Sequence, residues 1–131
     1  MKQISVVVEE QPRFPLADIT ELMAANDINI DTIESETVGN ASVIVMTVNK
    51  YDLALRALRD ASFNAITEDC LLIKLKDEPG ALAKIARKFK EADLHIRSFH
   101  IISRNNDTSI AAISTERTEQ AMKLVEDILV S

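Results

Sequence analysis

The chain has 131 residues, 47% hydrophobic and 27% charged, and a formal net charge of −6. This suits one ordinary domain or two small ones with a real core, and the composition is that of a globular rather than a disordered chain. Gly39 and Gly80 are its 2 glycines, too far apart to build a dinucleotide-binding turn or a P-loop, each of which needs several in one loop.

In chain order, Ile4–Glu9 is Val- and Ile-rich and predicts a strand that ends before Pro12. Leu16, Ile19 and Met23 follow at helical spacing. A second strand is expected over Ile28–Ser35, a turn at Val38–Asn40, and a third strand over Ser42–Val48. Tyr51–Ala61 carries an apolar helical stripe at positions 54, 55, 58 and 61, and Phe63–Thr67 reads as a closing strand. After a short linker at Glu68–Cys70 the sequence predicts a strand over Leu71–Lys76. Leu82, Ile85, Ala86 and Phe89 then mark a helix at i, i+3, i+4 and i+7, with Lys84, Arg87, Lys88 and Lys90 on a face expected to be solvated. Leu94–Ser103 and Thr108–Ser114 predict a hairpin closed at Arg104–Asp107, and Arg117–Leu129 a last helix striped at 121, 124, 125 and 128.

The two halves are copies of one unit, offset by 66 to 67 residues. Val6 and Val8 fall on Ile73 and Leu75, and Pro12 on Pro79. Ile19 and Met23 fall on Ile85 and Phe89, and Ile28, Ile30 and Ile33 on Leu94, Ile96 and Phe99. In both copies the apolar parity switches after the second member of the second strand, which predicts a shared bulge near its start. The order βαββαβ folds as a split βαβ unit. The expected fold class is therefore α+β: two tandem ferredoxin-like βαββαβ units with antiparallel sheets, residues 1–68 and 69–131, the second lacking its last strand. The strand Leu71–Lys76 would then have an open edge, and homodimerisation by strand pairing is expected there.

No run is apolar enough to span a membrane, and the first residues do not read as a signal peptide. The single cysteine, Cys70, permits no internal disulfide and suits a reducing, cytoplasmic setting. Acidic charge and 4% aromatic content argue against nucleic-acid binding. The charge is uneven: residues 1–66 hold 5 basic and 10 acidic residues, and residues 67–131 hold 10 and 11. His95 and His100 differ in strand parity, so no metal site, no cofactor and no catalytic set is expected.

The stretch Leu72–Ile96 resembles an ACT domain, a small regulatory module that senses amino acids: a strand leads into Asp77-Glu78-Pro79-Gly80-Ala81-Leu82 and an amphipathic helix. Through the internal repeat the resemblance extends to nearly the whole chain. It implies a non-catalytic, tandem ACT protein in which an amino acid sits between the loop after one module's first strand and the start of a neighbouring module's second strand. Matched residue by residue, it assigns Asp77, Gly80, Ala81 and Leu82 to the loop. Asn29 and His95 take the second-strand position, where serine-sensing members carry asparagine, and Ile30 with Leu82 would form the apolar wall. Read from the residues alone, Asp77 would cap the helix, Pro79 would sit in its first turn, and the helix N-terminus would favour a carboxylate. The same pattern also describes an ordinary helix start. The first repeat carries Arg13 where the glycine is expected, so one competent loop is anticipated, in the second repeat. The expected partners are a small-molecule ligand, a second copy of the chain, and a metabolic enzyme or regulator. A protein-interaction module without a ligand is the alternative, and a small enzyme the third.

Overall fold

The structure is a computed structural model and describes residues 2–104 and 107–130. The chain divides into two compact units, Met1–Glu68 and Asp69–Ser131. In the first, β1 (Gln3–Val8), α1 (Pro15–Ala25), β2 (Ile30–Val38), β3 (Ala41–Val48), α2 (Tyr51–Asp60) and β4 (Asn64–Ile66) follow in order. Their sheet is antiparallel throughout, ordered β2-β3-β1-β4. In the second, β5 (Cys70–Lys76), α3 (Ala81–Glu91), β6 (Ile96–Arg104), β7 (Thr108–Thr115) and α4 (Thr118–Leu124) form an antiparallel sheet ordered β5-β7-β6. This is the α+β, tandem ferredoxin-like architecture expected, with fewer strands in the second sheet. The hairpin turn expected at Arg104–Asp107 includes Asn105 and Asn106, which lie outside the described residues.

Each unit builds a core between its helices and one sheet face. Ile4, Val6 and Val8 of β1 alternate toward Ile19 and Met23 of α1 and Leu55 and Leu58 of α2. In the second unit Leu71 and Ile73 of β5 meet Ile85 and Phe89 of α3 and Ala121 of α4. Phe89 is 1% exposed and Met23 fully buried, so matched repeat positions anchor the two cores. The alternate residues Val7 and Val43, and Leu72 and Ile110, are also buried although they face away from the helices.

The shared bulge is present in both copies. The pairing register shifts between Ile30 and Thr32 in β2, and between Ile96 and Ser98 in β6. β6 has a second shift between Ile101 and Ser103 that the parity pattern did not signal.

The last helix departs from expectation. It ends at Leu124 rather than Leu129, and the chain turns through Val125 and returns to β5. There the Lys74 N–H donates to the Ile128 carbonyl at 2.9 Å and the Val130 N–H donates to the Leu72 carbonyl at 2.7 Å, around an isolated Ile73–Leu129 bridge. The reason is complementary: an open strand edge offers unpaired backbone groups, and leaving the helix also lets Ile128 and Leu129 pack on the second core. The edge expected to stand free is thus partly closed by the chain itself.

Candidate functional site

The loop between β5 and α3 opens onto a groove of about 800 Å³ in the second unit. Gly80 sits at its rim in a left-handed conformation, φ +88°, immediately before Ala81 starts the helix. A Cβ built on Gly80 would meet nothing within 4 Å. Glycine is therefore favoured there by backbone conformation and not by crowding. The expected cap is corrected: Asp77 makes no N-cap bond, and Pro79 precedes the helix instead of lying in its first turn. The Asp77 carboxylate accepts a hydrogen bond from the Arg104 guanidinium at 3.2 Å, across the β5–β7–β6 sheet end.

Four lysines line the same groove. Lys74 and Lys76 come from the edge strand β5, spaced i, i+2 on the sheet face that Leu72 shares and that turns away from the helices, whereas Lys84 and Lys88 come from α3, spaced i, i+4 on one helix face. Glu78 and Asp127 supply its acidic groups, and Leu75, Ile85 and Ile128 its apolar surface. Lys88 donates to the Leu124 carbonyl at 3.4 Å and lies 4.0 Å from Asp127. Among the described residues, the side chains of Lys74, Lys76 and Lys84 form no ion pair or hydrogen bond. The lysines of α3 expected to be a plain solvated face thus include two, Lys84 and Lys88, that border a concavity. Their spacing was visible in the sequence, but the concavity beside them was not.

Of the residues singled out from the sequence, Gly80 and Ala81 line this groove. Leu82 is 45% exposed and is not among the lining residues. His95 borders a separate cavity of about 420 Å³ at the other end of α3, with Phe89, Asp93 and Glu116. Asn29 and Ile30 belong to the first unit, at the start of β2. Arg13 stacks its guanidinium 5.2 Å from the ring of its neighbour Phe14, and α1 starts from a Phe14 with φ −122°, so the first repeat lacks the left-handed turn of Gly80.

Asn29 and His95 occupy matching backbone clamps. The Asn29 N–H donates to Asn49 Oδ1 at 2.9 Å, and the Asn49 N–H donates to the Asn29 carbonyl at 3.1 Å. His95 exchanges the same pair of bonds with Glu116, at 3.1 and 3.3 Å. The Asn29 side chain lies 3.3 Å from Asp31 Oδ1 as a donor. The backbone bond from His95 holds the Glu116 carboxyl below the ordinary glutamate range; desolvation opposes this and the Arg117 guanidinium adds to it.

Among the described residues no group of three or more His, Cys, Asp or Glu side chains is placed to hold a metal ion, and no helix is long and apolar enough to cross a membrane. No protein-family model matches the chain, and no curated protein does. Solved structures do. A protein from Bacteroides thetaiotaomicron superposes with a TM-score of 0.50 at 23% identity, covering 98% of this chain and 90% of its own. The regulatory subunit of aspartate kinase from Thermus thermophilus gives 0.44 at 21%, covering 96% and 90%. The small subunit of acetolactate synthase from Thermotoga maritima gives 0.40 at 16%, covering 99% and 89%. The topology and the superposition on the Bacteroides protein show the fold: two tandem ferredoxin-like units.

Proposed function

We propose that the protein is a non-catalytic regulatory protein that senses an amino acid, bound at the groove beside Gly80. The observation that carries this reading is the groove itself: a concavity where the turn into α3 meets Lys84, Lys88 and an apolar wall. A carboxylate placed there gains ammonium partners and the positive end of α3. Binding energy of this kind shifts a regulatory equilibrium when one arrangement of the protein holds the ligand more tightly than another. The remaining assignments belong to the same proposal. Asp77 holds the loop through Arg104, Leu82 offers an exposed apolar side chain beside it, and Asn29, Ile30 and His95 are the second-strand positions a neighbouring module would contribute. A second copy of the chain and a metabolic enzyme or regulator are the proposed partners, in a cytoplasmic setting.

Thermal denaturation against the twenty amino acids at millimolar concentration tests it. A ligand at about 100 times its dissociation constant adds about 2.7 kcal/mol, enough to raise the midpoint of a chain this size by several degrees. One or two amino acids should do so. A flat response across the panel overturns the sensor reading and favours a protein-interaction module.

A further inference from the structure

The groove beside Gly80 lies where two elements stop short. Helix α4 has 7 residues where α2, its counterpart in the first repeat, has 10. The C-terminal segment joins β5 only as far as Lys74, whose N–H donates to the Ile128 carbonyl at 2.9 Å. The next donor on that edge is the Lys76 N–H, since the Asp77 N–H turns the other way, to the Asp107 carbonyl at 2.8 Å. Among the described residues the Lys76 N–H has no backbone partner. Lys74 and Lys76 thus meet the groove along the strand edge, while their ammonium groups turn away with the far sheet face. Leu75 alternates with them and turns toward α3, where Leu75, Ile85 and Ile128 form a floor of branched aliphatic side chains. Lys88 and Asp127 largely answer one another, being 4.0 Å apart. That leaves one cation, Lys84, and one anion, Glu78, among the side chains bordering the floor.

Resting on the amino-acid reading above, we propose that this groove selects an amino acid with a branched aliphatic side chain over polar ones of the same shape. The ligand's carboxylate meets Lys84 and the Lys76 N–H, and its ammonium meets Glu78. Its side chain lies on Leu75, Ile85 and Ile128. One free charge of each sign matches a zwitterion and leaves nothing to answer a charged side chain. A hydroxyl or amide laid on the floor loses its water and finds no hydrogen-bond partner there, which is the source of the discrimination. Salt screens the contacts to Lys84 and Glu78 and so weakens every amino acid, but it leaves the ratio between an aliphatic side chain and its polar match unchanged.

The experiment is calorimetric titration of the full chain with L-valine, L-leucine and L-isoleucine. L-threonine and L-asparagine serve as polar matches of the first two, L-phenylalanine as an aromatic, and 4-methylpentanoate as leucine without its ammonium. The tightest of the three aliphatic amino acids is expected to bind about tenfold or more tightly than either polar match. Lys84→Gln should weaken every amino acid by a similar factor and keep that ratio, whereas Ile128→Thr should narrow it. Circular dichroism establishes that both variants are folded; Lys84→Gln, on the exposed side of α3, and 4-methylpentanoate decide the matter if Ile128→Thr is not. Threonine, asparagine or phenylalanine binding as tightly as the best aliphatic amino acid overturns this inference and leaves the sensor reading standing. Binding of 4-methylpentanoate as tight as that of leucine also overturns it, marking a plain apolar patch. An aliphatic amino acid whose affinity neither substitution changes overturns it together with the groove assignment. No binding by any amino acid removes both readings.

Discussion

Glu116 accepts the backbone N–H of His95 through its carboxylate at 3.1 Å and returns its own N–H to the His95 carbonyl at 3.3 Å. Asn49 does the same for Asn29 in the first unit, with bonds of 2.9 and 3.1 Å. A basic residue follows each clamp residue and reaches back to the preceding turn: Lys50 Nζ donates to the Asp27 carbonyl at 2.8 Å, and the Arg117 guanidinium donates to the Asp93 carbonyl. Asp27 and Asp93 share a left-handed φ of 57°. The same clamp thus joins the end of the first helix, the second strand and the second helix in both repeats, with an uncharged amide in one and a carboxylate in the other.

That difference makes the clamp of the second unit sensitive to acid. The folded pKa of Glu116 is lowered, so its contribution is fully present above the unfolded glutamate value, about 4.3, and is lost as pH falls through the folded value. Glu116→Gln should flatten this part of the acid limb, whereas Asn49→Ala should lower stability evenly with pH. Thermal midpoints of both variants from roughly pH 3 to 6 check this. Wild-type and Glu116→Gln curves that stay parallel over the whole range would exclude a titrating clamp.

Gly80 holds φ +88° in open space, so any substitution there acts through the backbone. Gly80→Val should destabilise by about 1–2 kcal/mol without any steric clash, because a β-branched residue disfavours the left-handed region. Urea denaturation measures it. A change too small to resolve would mean that the turn relaxes into another conformation. The variant is for this reason a poor probe of ligand contact, and lysine substitutions are the cleaner choice.

Phe89 is the largest fully buried side chain, with Met23 at the matching position of the first repeat. Phe89→Ala should cost about 3–5 kcal/mol and Met23→Ala about 2–5 kcal/mol, the loss of transferred surface together with the cavity left behind. Chemical denaturation of each variant gives the values. A cost for Phe89→Ala below about 1 kcal/mol would place that ring outside the core.

The return of the chain to β5 closes an otherwise open edge through the bonds of Lys74 and Val130. Val130→Pro removes one donor and should cost about 0.5–1.5 kcal/mol. Shortening the chain after Asp127 should speed amide exchange at Lys74 and raise self-association, since an unpaired strand edge invites pairing. Exchange rates and light scattering of the shortened chain report on both. Unchanged exchange at Lys74 would show that the edge bond does not form in solution.

Most of the architecture was legible because it repeats. Apolar residues recurring at 3.6 and 2.0 spacing, twice over, define which elements form and which faces turn inward. The parity switch after Ile30 and after Ile96 marked the bulge in each second strand. The helix start at Ala81 was not legible, since Asp77 was equally able to cap the helix or to pair with a cation, and Arg104 lies 27 residues away. The end of α4 was missed for a related reason: Ile128 continues the helical stripe, yet it serves the core as well from a strand position beside β5.

The sequence by itself determined the repeat, the element types and the buried faces, because each depends on residues close together along the chain. Only the tertiary structure decided that the C-terminal segment closes β5, that Asp77 pairs with Arg104, and that β5, α3 and the C-terminal segment line one groove. Those outcomes depend on which unpaired backbone edges and charges the folded chain brings within a few ångströms, and local spacing does not contain that information.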